Sequence, residues 1–180
     1  TVTKRATRDH EQRPRLPPHL GRRRRDSHGD HAARHDLLRA ELDPAMFEVA
    51  SAGVQGWDRK PMDTMAAMEL MRFGHSPGKF RSHAIDSYLV DSADLILTAT
   101  KSHRSEVLAM NPKALRRAFT LVEFAALCEK VDAAYPSELV AEAARQRSLA
   151  PAEVDIGDPY RRSPEIHRHT ADQIAEAVRI

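Results

Sequence analysis

Residues 22–36 read RRRRDSHGDHAARHD and hold five arginines, three histidines and three aspartates. Three roles fit those residue types. His28, His31 and His35 stand at i, i+3 and i+7, a spacing that on one helix face gathers imidazoles around a metal ion. The four consecutive arginines could hold nucleic-acid phosphates. A solvated, charged tail needs neither partner. Gly29 inside the histidine run weighs against the metal site. No aromatic residue interleaves with the arginines to stack on bases, and the aspartates dilute their charge. The solvated tail is therefore preferred, with no metal, no cofactor and no nucleic-acid partner expected. Two other reactive residues lie elsewhere. Cys128 is the one cysteine of the chain, and in the apolar stretch FAALCEKV (124–131) it reads as a packed thiol rather than a nucleophile. Asp158, in GDPY (157–160), is either an acid–base carboxylate or an ordinary turn residue at a helix entry.

These residues need a scaffold, and the chain divides unevenly in its capacity to supply one. Residues 1–36 carry ten Lys and Arg against five Asp and Glu, whereas residues 37–180 carry 18 against 21. The first segment has no Phe, Tyr, Trp, Ile, Met or Cys, so alone it cannot bury enough apolar surface to offset the entropy of ordering. The reading is thus a basic, disordered segment at 1–36 and an α/β domain at 37–180. No apolar run is long enough to span a membrane, and the lone cysteine fits a reducing, cytoplasmic setting.

From Leu37 onward strands and helices alternate. Leu37, Leu38 and Leu42 suit one side of a helix, and MFEVASAG (46–53) reads as a strand and a loop. PMDTMAAMELMRFG (61–74) reads as a helix with Pro61 near its start, Gly74 as its stop, and Met65, Met68 and Met71 as its core stripe. DLILTAT (94–100) is a continuous apolar strand of the kind buried on both faces. A helix over 101–110, a strand running into a helix at AFTLVEF (118–124), and a helix over 136–149 follow. Pro164 opens the last helix, with Ile166, Ala171, Ile174 and Val178 on one stripe. This order predicts a doubly wound parallel sheet flanked by helices.

The segments VASAG (49–53) with Trp57 shortly after, the helix to Gly74, DLILTAT and DPY (158–160) occur in an order that resembles the low-molecular-weight protein tyrosine phosphatases. The stretch 97–125 looks closest to actinobacterial members. The resemblance implies a flavodoxin-like fold with a parallel sheet of about four strands, and hydrolysis of phosphotyrosine on proteins, including bacterial tyrosine kinases. It implies a cysteine thiolate in a C-x5-R loop that attacks phosphorus, with backbone N–H groups and the arginine holding the phosphate oxygens. It assigns Asp158 as the general acid, Tyr160 as the aromatic at the pocket rim and Trp57 as a wall of the cleft. Arg161 stands where many members carry a second aromatic.

The nucleophile loop is what this chain lacks. By the spacing to Leu37, the cysteine belongs near Arg24 and the phosphate-binding arginine near Asp30. No cysteine precedes Cys128, and Ala134 rather than an arginine stands six residues after it. His28 and Arg34 form an H-x5-R, without the apolar strand that should precede such a loop. The segment HLGRR (19–23) cannot make a buried strand, so the first strand and the phosphate loop are both read as degenerate, and the fold as marginal for want of its central strand. The Arg, His, Pro, Ala, Gly and Asp content of residues 1–36 matches GC-rich DNA read out of frame. The expected function is a family protein inactive for want of its nucleophile. The alternatives are a non-catalytic relative that binds phosphoproteins or a kinase, an arsenate reductase on the same scaffold, and a basic-armed nucleic-acid binder.

Overall fold

The computed structural model describes residues 2–6, 30–43, 45–54 and 59–179, with the backbone alone described over 2–6 and 30–35. Four strands form one sheet in the order β2-β1-β3-β4: β1 is Val2–Ala6, β2 Phe47–Ser51, β3 Leu95–Thr98 and β4 Ala118–Thr120. Helices pack on both faces: α1 (Asp30–Glu41), α2 (Thr64–Arg72), α3 (Ser87–Ser92), α4 (Lys101–Met110), α5 (Leu121–Cys128), α6 (Pro136–Arg145) and α7 (Pro164–Arg179). Single 3-10 turns fill Pro112–Arg116 and Arg147–Leu149.

The alternation within β3 shows how the two layers are built. Leu95 and Leu97 join a core with Leu37, Leu38, Leu70, Phe119, Leu121, Leu127 and Ile174. Ile96, between them, joins Val90, Ala93, Val107, Ala114 and Ala118 in a second core. Successive side chains of a strand point to opposite faces, so a strand with a helical layer on each side must be apolar throughout. That is why DLILTAT has no polar alternation until Thr98, and Thr98 is satisfied by donating from Oγ1 to the carbonyls of Thr100 (3.0 Å) and Phe119 (3.2 Å).

The sheet departs from the expected all-parallel one at its centre. β3 and β4 are parallel, but β1 runs antiparallel to both of its neighbours. Nor is the central slot empty. Val2–Ala6 fills it, far upstream of HLGRR (19–23), which lies outside the described residues. The marginal fold anticipated from a missing central strand therefore loses its premise. The physical reason is that a sheet interior demands backbone donors and acceptors, which any extended segment supplies, and antiparallel pairing is at least as favourable as parallel. The boundary expected at 36/37 falls inside α1, which begins at Asp30.

Two stripes also rotate from their expected positions. In α2 the buried residues are Ala66, Glu69 and Leu70, while Met68 and Met71 are more than half exposed. Ion pairs accompany this rotation: Glu69 takes Arg72 Nε at 2.6 Å, and Arg72 Nη2 reaches Asp172 of α7 at 2.5 Å. The helix starts at its Asp63 cap rather than at Pro61, because the Asp63 carboxylate accepts from the N–H groups of Met65 and Ala66. In α7, Ala171 and Ile174 are buried as expected and Val178 is half-buried, but Ile166 is exposed. Leu70→Ala should therefore cost about 2–5 kcal/mol, whereas Met68→Gln should stay within about 0.5 kcal/mol of wild type. Urea unfolding of the two variants checks this, and equal costs would show that the methionines do face the core. Among the described residues, no helix is long and apolar enough to cross a membrane.

Candidate functional site

Functional loops of an open α/β sheet gather at the carboxyl ends of the parallel strands. Here that edge lies beyond Ser51, Thr98 and Thr120. The loop carrying Asp158 is tied to it by main chain: the Ile156 N–H donates to the Ala99 carbonyl, just past β3, at 2.9 Å. Val154, Ile156 and Pro159 are buried, so the loop is anchored on alternate apolar residues while Asp158 stays exposed. The Asp155 carboxylate accepts from the Lys101 N–H at the start of α4 (2.7 Å), and Lys101 Nζ donates to the Ala152 carbonyl (2.8 Å). These contacts clamp the loop at the base of α4. Asp155→Ala should lower stability by about 1 kcal/mol, as loss of a capping carboxylate does. It should also raise amide exchange at Ile156 more than in α7, and unchanged exchange there would show that the clamp does not hold the loop.

Asp158 and Tyr160 are brought together. Asp158 Oδ1 accepts from the Tyr160 N–H at 3.0 Å, an Asx turn that fixes the carboxylate beside the half-buried ring. Pro159 sits in the turn, and its carbonyl accepts from the Arg162 N–H (2.9 Å). Arg161 takes a positive φ of 59°, and its guanidinium lies 5.2 Å from the centroid of the Tyr160 ring. A cation over the ring face thus stands where a second stacking aromatic was expected.

The loop after β2 is tied to a second segment. Gly53 bridges in parallel with Ala84, accepting from Ile85 (3.0 Å) and donating to His83 (2.8 Å). Arg59 N–H donates to the Ser82 carbonyl at 2.7 Å, and the Lys60 N–H to Ser82 Oγ at 2.9 Å. Both ends of the loop that carries Trp57 are therefore pinned to residues 82–85. Trp57 itself lies outside the described residues, as do His28 and Arg24, and the side chains of Asp30, His31, Arg34 and His35 are not described. Among the described residues no three His, Cys, Asp or Glu side chains gather as a metal site.

Cys128 is half-buried at the last residue of α5. That helix starts at the carboxyl end of β4 and is about 12 Å long, with the thiol at its far end.

Sequence reading overlooked a buried charged cluster at this same edge. Glu123 is 4% exposed and closes a capping box at the start of α5: its carboxylate accepts from the Thr120 N–H (3.0 Å), while Thr120 Oγ1 accepts from the Glu123 N–H (3.1 Å). The guanidinium of Arg104, from α4, pairs with Glu123 Oε2. Arg147 Nε lies 3.3 Å from Glu123 Oε1 but makes no hydrogen bond, so this contact is an ion pair only. The T-x-x-E spacing of Thr120 and Glu123 was the legible signal. The two arginines, 19 residues before Glu123 and 24 after it, carried none.

Neither protein-family models nor curated sequences match the chain. Solved structures do. The arginine phosphatase YwlE from Geobacillus stearothermophilus superposes with a TM-score of 0.64 at 22% identity, over 84% of this chain and 82% of that one. Wzb of Vibrio vulnificus, solved with benzylphosphonate, gives 0.62 at 23% identity, over 84% and 88%. The Erwinia amylovora tyrosine phosphatase AmsI gives 0.65 at 19% identity, over 84% and 82%. The fold is that of the low-molecular-weight protein tyrosine phosphatases.

Set on a low-molecular-weight phosphatase scaffold, the direction of β1 has a consequence. Val2 pairs with Ser51 and Leu97, at the carboxyl ends of β2 and β3, and Ala6 pairs with Phe47 at the start of β2. The chain therefore leaves β1 at the edge opposite Asp158. The resemblance calls for a loop that passes directly from the central strand into α1 at the site edge. A reversed β1 cannot feed such a loop.

Proposed function

We propose that this chain is a low-molecular-weight phosphatase-fold protein that hydrolyses no phosphotyrosine, its nucleophile loop replaced by an out-of-frame reading over residues 1–36. The single observation that carries this is the reversed β1. It removes the strand-to-helix connection in which a C-x5-R loop sits, and it agrees with the absence of any cysteine before Cys128. The first residue of α1 is Asp30, an acidic residue at the helix end where a phosphate would need N–H donors and a cation. Phosphatase ancestry is supported by the ordered Asp158–Tyr160 turn at the sheet edge, on a loop held at the base of α4. A phosphotyrosine protein was the substrate class of that ancestor. Binding without turnover would also need the phosphate cradle, and so is not favoured. Resequencing the start of the gene tests the frame: one inserted or deleted base should restore an apolar strand followed by C-x5-R. If no single-base change does so, the out-of-frame reading fails. Turnover of an aryl phosphate tests the loss of activity.

A further inference from the structure

Far from Asp158 in sequence, the outer face of α6 and the 3-10 turn before β4 enclose a groove of about 510 Å³. Its lining includes Arg116, Arg117 and Arg145, with Ser137, Val140 and Ala144 between them, and no carboxylate. The three guanidiniums differ in how well they are compensated. Arg145 Nε pairs with Glu142 on its own helix at 2.9 Å. Arg117 donates from Nη1 alone to the carbonyls of Asp91 and Ala93, which leaves its charge uncancelled. Arg116 is exposed and makes no ion pair or hydrogen bond among the described residues. Helix α6 also begins without a side-chain cap.

This positive charge is local. Residues 37–180 as a whole carry 18 basic against 21 acidic side chains, so the groove stands out against a slightly acidic domain. Its floor is apolar at Val140 and Ala144. Beside its lining residues stand two large apolar side chains open to solvent, Leu115 (52% exposed) next to Arg116 and Tyr135 (70% exposed) just before α6. A small anion or a nucleic-acid backbone makes no use of such flanks. A polypeptide that alternates carboxylates with apolar residues uses both.

From these features we infer that the α6 groove is a docking site for an acidic, amphipathic segment of a partner protein. The partner's carboxylates pair with Arg116 and Arg117, and its apolar residues rest on Val140, Ala144 and the two flanking side chains. Arginine suits this role because its planar fork engages a carboxylate with two parallel hydrogen bonds.

The test uses the full chain and a short fluorescein-labelled peptide of Glu and Leu residues, with a Lys and Leu peptide as control. Fluorescence anisotropy should show binding of the acidic peptide that weakens with salt, and amide shift mapping should place it on Ser137, Val140 and Ala144. Arg116→Glu should weaken it about tenfold or more, because a like charge is set against the peptide. The residue is exposed, so the fold should tolerate the change, and an unshifted thermal midpoint confirms that. Arg145→Glu serves as the second variant. Unchanged affinity in both variants overturns the assignment. So do shifts confined to the arginines at 22–25, equal binding of the Lys peptide, or an oligonucleotide that occupies the groove when the acidic peptide does not.

Discussion

Purified, the chain is expected to turn over an aryl phosphate no faster than the buffer blank, and Asp158→Asn is expected to change nothing. This is the largest effect expected of the molecule, because enzymatic hydrolysis of this kind exceeds the uncatalysed rate by at least about 10⁶-fold. The whole of that factor rests on a nucleophile and a preorganised phosphate cradle. A general acid has nothing to protonate until phosphorus is attacked, so substitution of Asp158 is expected to be silent in this chain despite its ordered turn. The informative counterpart replaces the residues upstream of Leu37 with an apolar strand and a C-x5-R loop. Turnover should then appear, and Asp158→Asn should lower it by about 10²–10⁴-fold, the usual contribution of a positioned general acid. Turnover in the unaltered chain that falls on Asp158→Asn would refute the loss of function and demand a different nucleophile.

Removal of the Glu123 carboxylate is expected to cost about 3–5 kcal/mol, the range for stripping one partner from a buried ion pair. Three losses combine in Glu123→Ala. The Thr120 N–H loses its acceptor, the start of α5 loses half of its capping box, and the guanidiniums of Arg104 and Arg147 lose their common anion. Arg147 makes the loss severe. Burial pushes its pKa below the ordinary arginine range, and the charge of Glu123 is what pushes it back up. Its guanidinium also lies 4.3 Å from the centroid of the Phe119 ring and donates to the Ala118 carbonyl at 2.8 Å. That carbonyl belongs to the edge strand, so the arginine occupies an acceptor that another chain could otherwise pair with. Urea midpoints of Glu123→Ala and Glu123→Gln measure the effect. Glu123→Gln keeps an acceptor for the Thr120 N–H and should lose less, and equal losses would show that the charge rather than the cap dominates.

Much of the scaffold could be read along the chain because its signals are local. The unbroken apolar run at Leu95–Thr98 announced a strand covered on both faces, and the helix over 101–110 fell where expected, while the strand at 118–124 gives way to helix already at Leu121. The order of VASAG, DLILTAT and DPY was enough to point to the phosphatase fold. Asp158 and Tyr160 were named only through the resemblance carried by DPY, and the fold adds that the two share an Asx turn. The absence of the nucleophile needed only a count of cysteines.

Other features depended on partners distant in the chain. In α2 two apolar stripes compete, the methionines and Ala66 with Leu70, and packing against the rest of the core buries the second. Glu123 reads locally as a cap and only in the folded molecule as the anion shared by Arg104 and Arg147. The direction of β1 was the least legible of all. A five-residue segment with alternating side chains pairs equally well either way up, and only the register against Ser51 and Leu97 decides which end of the sheet it leaves from. The sequence by itself determined that the cysteine is missing. The tertiary structure decided that the central strand arrives from the opposite direction, because strand polarity is a property of pairing and not of composition.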